Sequence, residues 1–175
     1  MPVIKLVPFQ CRCSHFYEPL AQHIQKTIGW KVEIIDINFD HLFALNPDRN
    51  QYHSSEILLG LKNIFMPSKD KILAVTDLDL FIPILTFVFG EAQLDGPTAV
   101  ISTFRLRPEF YGLPPNENLV MQRLIKEAIH ELGHTFGLVH CLNQGCVLNA
   151  STYVEEIDLK EADFCPECAQ LLAGP

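Results

Sequence analysis

The stretch "HELGHTFGLVHC", residues 130–141, sets His130, His134, His140 and the carboxylate of Glu131 just ahead of Cys141. His130 and His134 stand four positions apart, so on a helix both imidazoles leave the same face one turn apart and can close on a single ion. Glu131 is displaced by about 100° around the helix, where it reaches a water beside the metal without binding the metal. His140 is the natural third ligand, because Gly137 can take the left-handed conformation that ends a helix and turns the chain back under the ion. Three neutral nitrogens and an open fourth position describe a catalytic zinc site, with Glu131 as general base. Histidines merely packed on a helix face would leave several polar nitrogens to satisfy.

The sequence holds six cysteines, and Cys141, Cys146, Cys165 and Cys168 fall near its end as C-x4-C followed by C-x2-C. Two pairs of thiolates are the usual ligand set of a closed structural zinc site, whereas a disulfide reading fits poorly without an export signal. Such an ion would staple a tail too short to build its own core, at about 10 to 16 kcal/mol for zinc coordination in small peptides. Because Cys141 follows His140 directly, the structural zinc would also fix the third catalytic ligand. Cys11 and Cys13 form a separate C-x-C, expected as reduced, partly buried thiols. His15, His23, His41 and His53 lack ligand spacing and are expected at the surface or at caps.

The elements that must position these groups follow from apolar periodicity. Residues 2–8 read as a strand, and Phe16, Leu20, Ile24 and Ile28 as the apolar face of a helix entered from Ser14 and stopped by Gly29. "WKVEIIDI" alternates as a second strand, Ser54 is a cap for a helix through Phe65, and "KILAVTDLD" is a further strand. "LFIPILTFVFG" is the most apolar run and is expected as buried strand, while "TFVFGEA" and "GPTAVIST" pair around the turn "QLDG". Asn116 caps the longest helix, with Leu124, Ile125, Ala128, Leu132 and Phe136 in period up to Gly137. Short helical turns are expected at residues 157–162 and after Cys168. Strand and helix alternate in the first half, which predicts an α/β fold with a mostly parallel sheet and an antiparallel edge strand.

A chain of 175 residues with 48% hydrophobic content fits one domain: an α/β upper part with the active-site helix over 1–137 and a small zinc-stapled C-terminal subdomain over 138–175. A net charge of −8 without a Lys/Arg run excludes nucleic acid as a partner and gives no footprint for anionic membranes. The apolar run of about 11 residues falls short of the roughly 20 a spanning helix needs, and "MPVIKLVPFQ" lacks a signal-peptide core, which points to a cytoplasmic protein. No feature specifies an oligomeric state.

The pattern H-E-x-x-H-x-x-G-x-x-H-C, with x4-C and a distal C-x-x-C, resembles the archaemetzincins of the metzincin clan. The likeness extends upstream through "RNQYHSSEIL", "TDLDLFIP", "FVFGEA" and "RLRPEFYG", and so covers Arg49 to Cys168. The resemblance implies a metzincin-like mixed, twisted sheet above an active-site helix, His130, His134 and His140 as ligands, Glu131 as base, and a second zinc on four cysteines. It also implies a methionine two residues after the second cysteine, where this chain has Leu148; Leu for Met costs under about 1.5 kcal/mol, so the site is expected to survive. By analogy an edge strand, "GPTAVIST" or "TFVFGEA", would pair with an extended peptide. Arg105, Arg107, Tyr111 and Tyr153 are further candidates for substrate or oxyanion contacts. The function expected is zinc-dependent hydrolysis of a peptide or small protein with two zinc ions per chain; the competing reading is a catalytically silent two-zinc binding protein with a restricted cleft.

Overall fold

The computed structural model describes residues 1–173; Gly174 and Pro175, the end of the expected C-terminal subdomain, lie outside the described residues. Strand β1 (Ile4–Pro8) leads into helix α1 (Tyr17–Ile28), which returns to β2 (Val32–Ile34). A small hairpin, β3 (Leu45–Asn46) and β4 (Gln51–His53), precedes α2 (Ser54–Phe65), β5 (Lys71–Thr76) and β6 (Leu80–Phe81). Strands β7 (Gly90–Ala92) and β8 (Thr98–Ser102) follow, then α3 (Glu117–Thr135), α4 (Val154–Leu159) and α5 (Pro166–Ala173). The main sheet has the order β2-β1-β5-β8-β7; β7 alone runs antiparallel, at the edge. This is the mixed α/β architecture the alternation predicts, with a second sheet of order β3-β4-β6 that the sequence pattern does not reveal.

The central strands are apolar at consecutive positions because both faces are covered. Leu73 and Val75 of β5 face a core shared with Leu20 and Ile24 of α1 and Leu124, Ala128 and Leu132 of α3. Ile72 and Ala74, on the opposite face, join Ile57, Leu58 and Leu61 of α2. Each buried Leu, Ile or Val side chain among these contributes about 1.5–3 kcal/mol, and each alanine methyl about 0.8. Helix α3 begins where the Asn116 side chain accepts the Leu119 amide at 3.1 Å, and the chain turns away two residues past its last residue, at Gly137 with φ +87°.

Three local expectations are corrected. "LFIPILTFVFG" is not continuous buried strand: β6 stops at Phe81, Pro83 opens a turn, and Ile84 and Leu85 are exposed. Only residues from Gly90 onward pair with β8 as a strand, so "TFVF" is mostly irregular. The helical turn expected at 157–162 forms earlier, over Val154–Leu159, because the Glu156 carboxylate accepts the Tyr153 amide at 3.0 Å. Among the described residues no helix is long and apolar enough to cross a membrane.

Candidate active site and cysteine cluster

The active-site helix is held from both ends of its last turn. The amide of Asp95, in the β7–β8 turn, donates to the His134 carbonyl at 2.9 Å, and Gly137 and Leu138 return their amides to His134 and Gly133. The chain then doubles back, so His140 meets the two helix histidines with ring centroids 5.3 Å from His130 and 4.9 Å from His134. One donor atom from each of His130, His134 and His140 lies within 4.8 Å of the others. The Nδ1 of His130 donates to the Val147 carbonyl at 2.8 Å and that of His134 to the Leu138 carbonyl at 2.7 Å. Both Nε2 atoms therefore carry bare lone pairs, and these converge to 3.1 Å. Two acceptors that close repel unless a cation sits with them, so the donor set fits a metal. Burial pushes all three imidazoles below their ordinary pKa, which keeps them neutral as ligands must be.

Glu131 is buried and stands outside the converging nitrogens. Burial, followed by the neighbouring carboxylate of Glu127, pushes it well above the ordinary carboxylate range. Its side chain runs along Gly90 of β7, where an added Cβ would come within 2.9 Å of Glu131 Cγ. A cleft of about 390 Å³ opens here, lined by residues 85–90 on one side, by Glu127, His130, Glu131 and His140, and by Ala150 to Tyr153 and Lys160 on the other.

Sequence reasoning missed Glu127 and Lys160. Glu127 stands three positions before His130, so the same helix-face spacing that pairs the histidines would have found it. Lys160, just after α4, carries no such signal; its Nζ lies 3.4 Å from Glu127 Oε1 and donates to the Asn149 carbonyl at 3.1 Å, deep under the site.

Cys141, Cys146, Cys165 and Cys168 also converge, with all four sulfurs within 4.8 Å of one another. The Asn143 amide points at Cys141 Sγ and the Cys165 amide at Cys146 Sγ, each at 3.4 Å. The Cys168 amide draws the Cys165 thiol down, but burial pushes the Cys146 and Cys168 thiols up, so a full set of thiolates needs a cation. The four are free cysteines, as expected. The Cys141 amide donates to the Leu148 carbonyl at 3.0 Å, and Leu148 is fully buried against Gly133 of the active-site helix. The residue at the methionine position thus still packs beneath the histidines.

Other expectations fare differently. Arg105 binds Asp79 through both Nε and Nη2, at 2.7 and 2.8 Å, and is sandwiched between Phe87 and Phe110; Tyr111 donates to the Arg105 carbonyl. Arg107 pairs with Asp77 and Glu117. None of these three lines the cleft, whereas Tyr153 does. The edge strand is β7, within "TFVFGEA", and not β8, which is covered on both sides. Cys11 and Cys13 are joined as a disulfide and are not the reduced pair expected, because the chain after β1 curls back at Gln10 (φ +46°) and the Asp77 carboxylate binds the Arg12 amide between them. His15 is exposed and meets Glu117 at 2.9 Å, but His23, His41 and His53 each bury one ring nitrogen, and none makes a side-chain cap.

Comparison with known proteins agrees with this geometry. The profile of Peptidase family M54 matches residues 31–173. The chain is 46% identical over 131 residues to an archaemetzincin from Methanocaldococcus jannaschii, covering 75% of this chain and 71% of that one. A crystal structure of a zinc-dependent peptidase from Methanocorpusculum labreanum superposes with a TM-score of 0.87 at 32% identity, over 97% of this chain and 99% of the other. That of the archaemetzincin from Methanopyrus kandleri gives 0.86 at 35% identity, over 98% and 93%. This chain belongs to Peptidase family M54, the archaemetzincins, and is a zinc metallopeptidase.

Proposed function

We propose that His130, His134 and His140 hold a catalytic zinc, that Cys141, Cys146, Cys165 and Cys168 hold a second, structural one, and that Glu131 is the general base of peptide hydrolysis. The observation that carries this reading is the convergence of the bare His130 and His134 Nε2 atoms at 3.1 Å, with each Nδ1 committed to a backbone carbonyl. Zinc bound there supplies Lewis acidity toward water and toward a carbonyl oxygen. Glu131, one position around the helix from the ligands, accepts the proton of the attacking water and delivers it to the amine that leaves. The edge position of β7, beside the cleft that His130 and His140 line, supports a reading in which an extended peptide pairs antiparallel with this strand and carries its scissile bond past the histidines. Val147, which orients His130, lies between the second cysteine and Leu148, so the cysteine cluster positions the catalytic ligands from below.

We also read the chain as one domain with 138–175 as a zinc-stapled subdomain. Leu138, Val147, Leu148, Val154 and Ile157 belong to the same core as the sheet and α3, which supports continuity.

The test is Glu131→Gln in the zinc-loaded protein. Hydrolysis of a broad peptide library falls by about 10²- to 10⁴-fold while both metals stay bound. A variant that cleaves as fast as the parent contradicts the assignment of the base, and a parent silent across the library at full zinc occupancy favours a binding protein.

A further inference from the structure

The cleft wall over residues 85–88 has little backbone pairing of its own. Between β6, which stops at Phe81, and β7, which starts at Gly90, the Leu85 amide donates to the Ile82 carbonyl at 3.0 Å and the Val88 amide to the Leu80 carbonyl at 2.9 Å. Among the described residues the carbonyls of Leu85 and Thr86 accept no backbone amide. Side chains from β4 and the turn before it take that place. Arg49 Nη2 donates to the Leu85 carbonyl at 2.9 Å and to the Thr86 carbonyl at 2.8 Å, and Gln51 Nε2 donates to the Thr86 carbonyl at 3.0 Å.

These two side chains are themselves fixed. Arg49 Nε donates to Gln51 Oε1 at 2.8 Å, and its guanidinium lies 4.0 Å from the centre of the Phe81 ring. Gln51 is buried, and its Nε2 also reaches Asp79 Oδ2 at 3.1 Å. Arg105 binds the same carboxylate while stacking on Phe87 at 4.2 Å, so the wall is tied from outside at residues 85, 86 and 87 in succession. A guanidinium suits the task, because its rigid fork serves several oxygens at once while its face covers an aromatic ring. Neither Arg49 nor Gln51 lines the cleft, whereas residues 85–90 share it with His130, Glu131 and His140. Without the tie a peptide would have to order this segment as it binds, and that entropy would be lost from its affinity.

We propose that Arg49 is a positioning residue for peptide binding: through the Leu85 and Thr86 carbonyls it holds the cleft wall in its binding form, and it takes no part in the chemistry at the histidines. The inference rests on the zinc-peptidase reading and adds to it what keeps the substrate wall in place.

The experiment compares acetohydroxamate, too small to reach far beyond the metal, with a tripeptide hydroxamate long enough to lie along the wall, both on zinc-loaded protein. Zinc content and amide hydrogen exchange are measured on the same samples. In Arg49→Met the tripeptide compound binds at least about tenfold more weakly, while acetohydroxamate stays within about twofold of the parent. Zinc is retained, and exchange quickens in the segment between β6 and β7 but not in α3. Arg49→Lys, which keeps the charge but lacks the fork, recovers part of the lost affinity. Should Arg49→Met fail to fold, the same comparison in Arg49→Lys decides, with the tripeptide compound at least about threefold weaker than in the parent. An unchanged tripeptide affinity, or an equal loss for both compounds, overturns the positioning role alone. Failure of acetohydroxamate to bind the zinc-loaded parent overturns the peptidase reading, and the positioning role falls with it.

Discussion

At the scale of single residues, two glycines shape the candidate site alongside its three histidines. Gly90 lets Glu131 lie against the edge strand, and an added Cβ there would also come within 2.8 Å of the Val100 carbonyl. Gly133, inside the H-E-x-x-H segment, gives its missing side chain's space to Leu148, whose Cδ2 would lie 2.8 Å from an added Cβ. Gly133→Ala therefore overpacks the floor of the site and destabilises the protein by about 1–3 kcal/mol in urea unfolding of the zinc-loaded form. The same substitution costs less in a Leu148→Ala background, since the double-mutant cycle removes the clash; additive costs would contradict the contact. Leu148→Met, which restores the residue the family pattern implies, changes stability by under about 1.5 kcal/mol. The convergence of His130 and His134, with Glu131 beside them, was legible because helix spacing dictates which side chains meet. Lys160 was not, since it reaches the site through the tertiary packing of α4.

At the scale of elements, the pairing of β1 with β5 is tied at its start by Asp70. Its carboxylate accepts the Val3 amide at 3.0 Å and faces Lys5 Nζ at 2.8 Å. The Lys5 ammonium, with the Val3 amide, lowers Asp70 from 3.8 to about 2. The folded state thus binds this proton less readily than the unfolded chain does. The stabilisation is complete above 3.8 and is lost as the pH falls through that value toward about 2. Unfolding measured across this window shows a steeper fall of stability with pH in the parent than in Asp70→Asn; identical slopes would contradict the tie. Helices α1, α2 and α3 and strands β1, β5 and β8 were legible because each carries a clean period between recognisable stops. The run from Ile82 to Val88 was misread for a physical reason: Ile84 and Leu85 are exposed and residues 85–88 line a cleft, and hydrophobicity by itself does not separate a cleft wall from a buried strand. The short strands of the second sheet, at two or three residues each, are too brief to show a period.

At the scale of the whole molecule, the sheet, the active-site helix and the tail share one core, and the tail contributes to both candidate metal sites. Cys141 adjoins His140, and Val147 orients His130, so loss of the cysteine cluster propagates to the histidines. Cys168→Ser is expected to weaken zinc at the histidine site as well as to remove it from the cysteines, read by competition with a chelator. Retention of full affinity at the histidines would show the two to be independent. The proposed arrangement leaves one ion partly uncovered for reaction and seals another among thiolates. Metal analysis of the purified protein tests it most directly. About two zinc per chain are expected, falling to about one in His134→Ala. A single ion in the parent, or disulfides among Cys141, Cys146, Cys165 and Cys168, would contradict it.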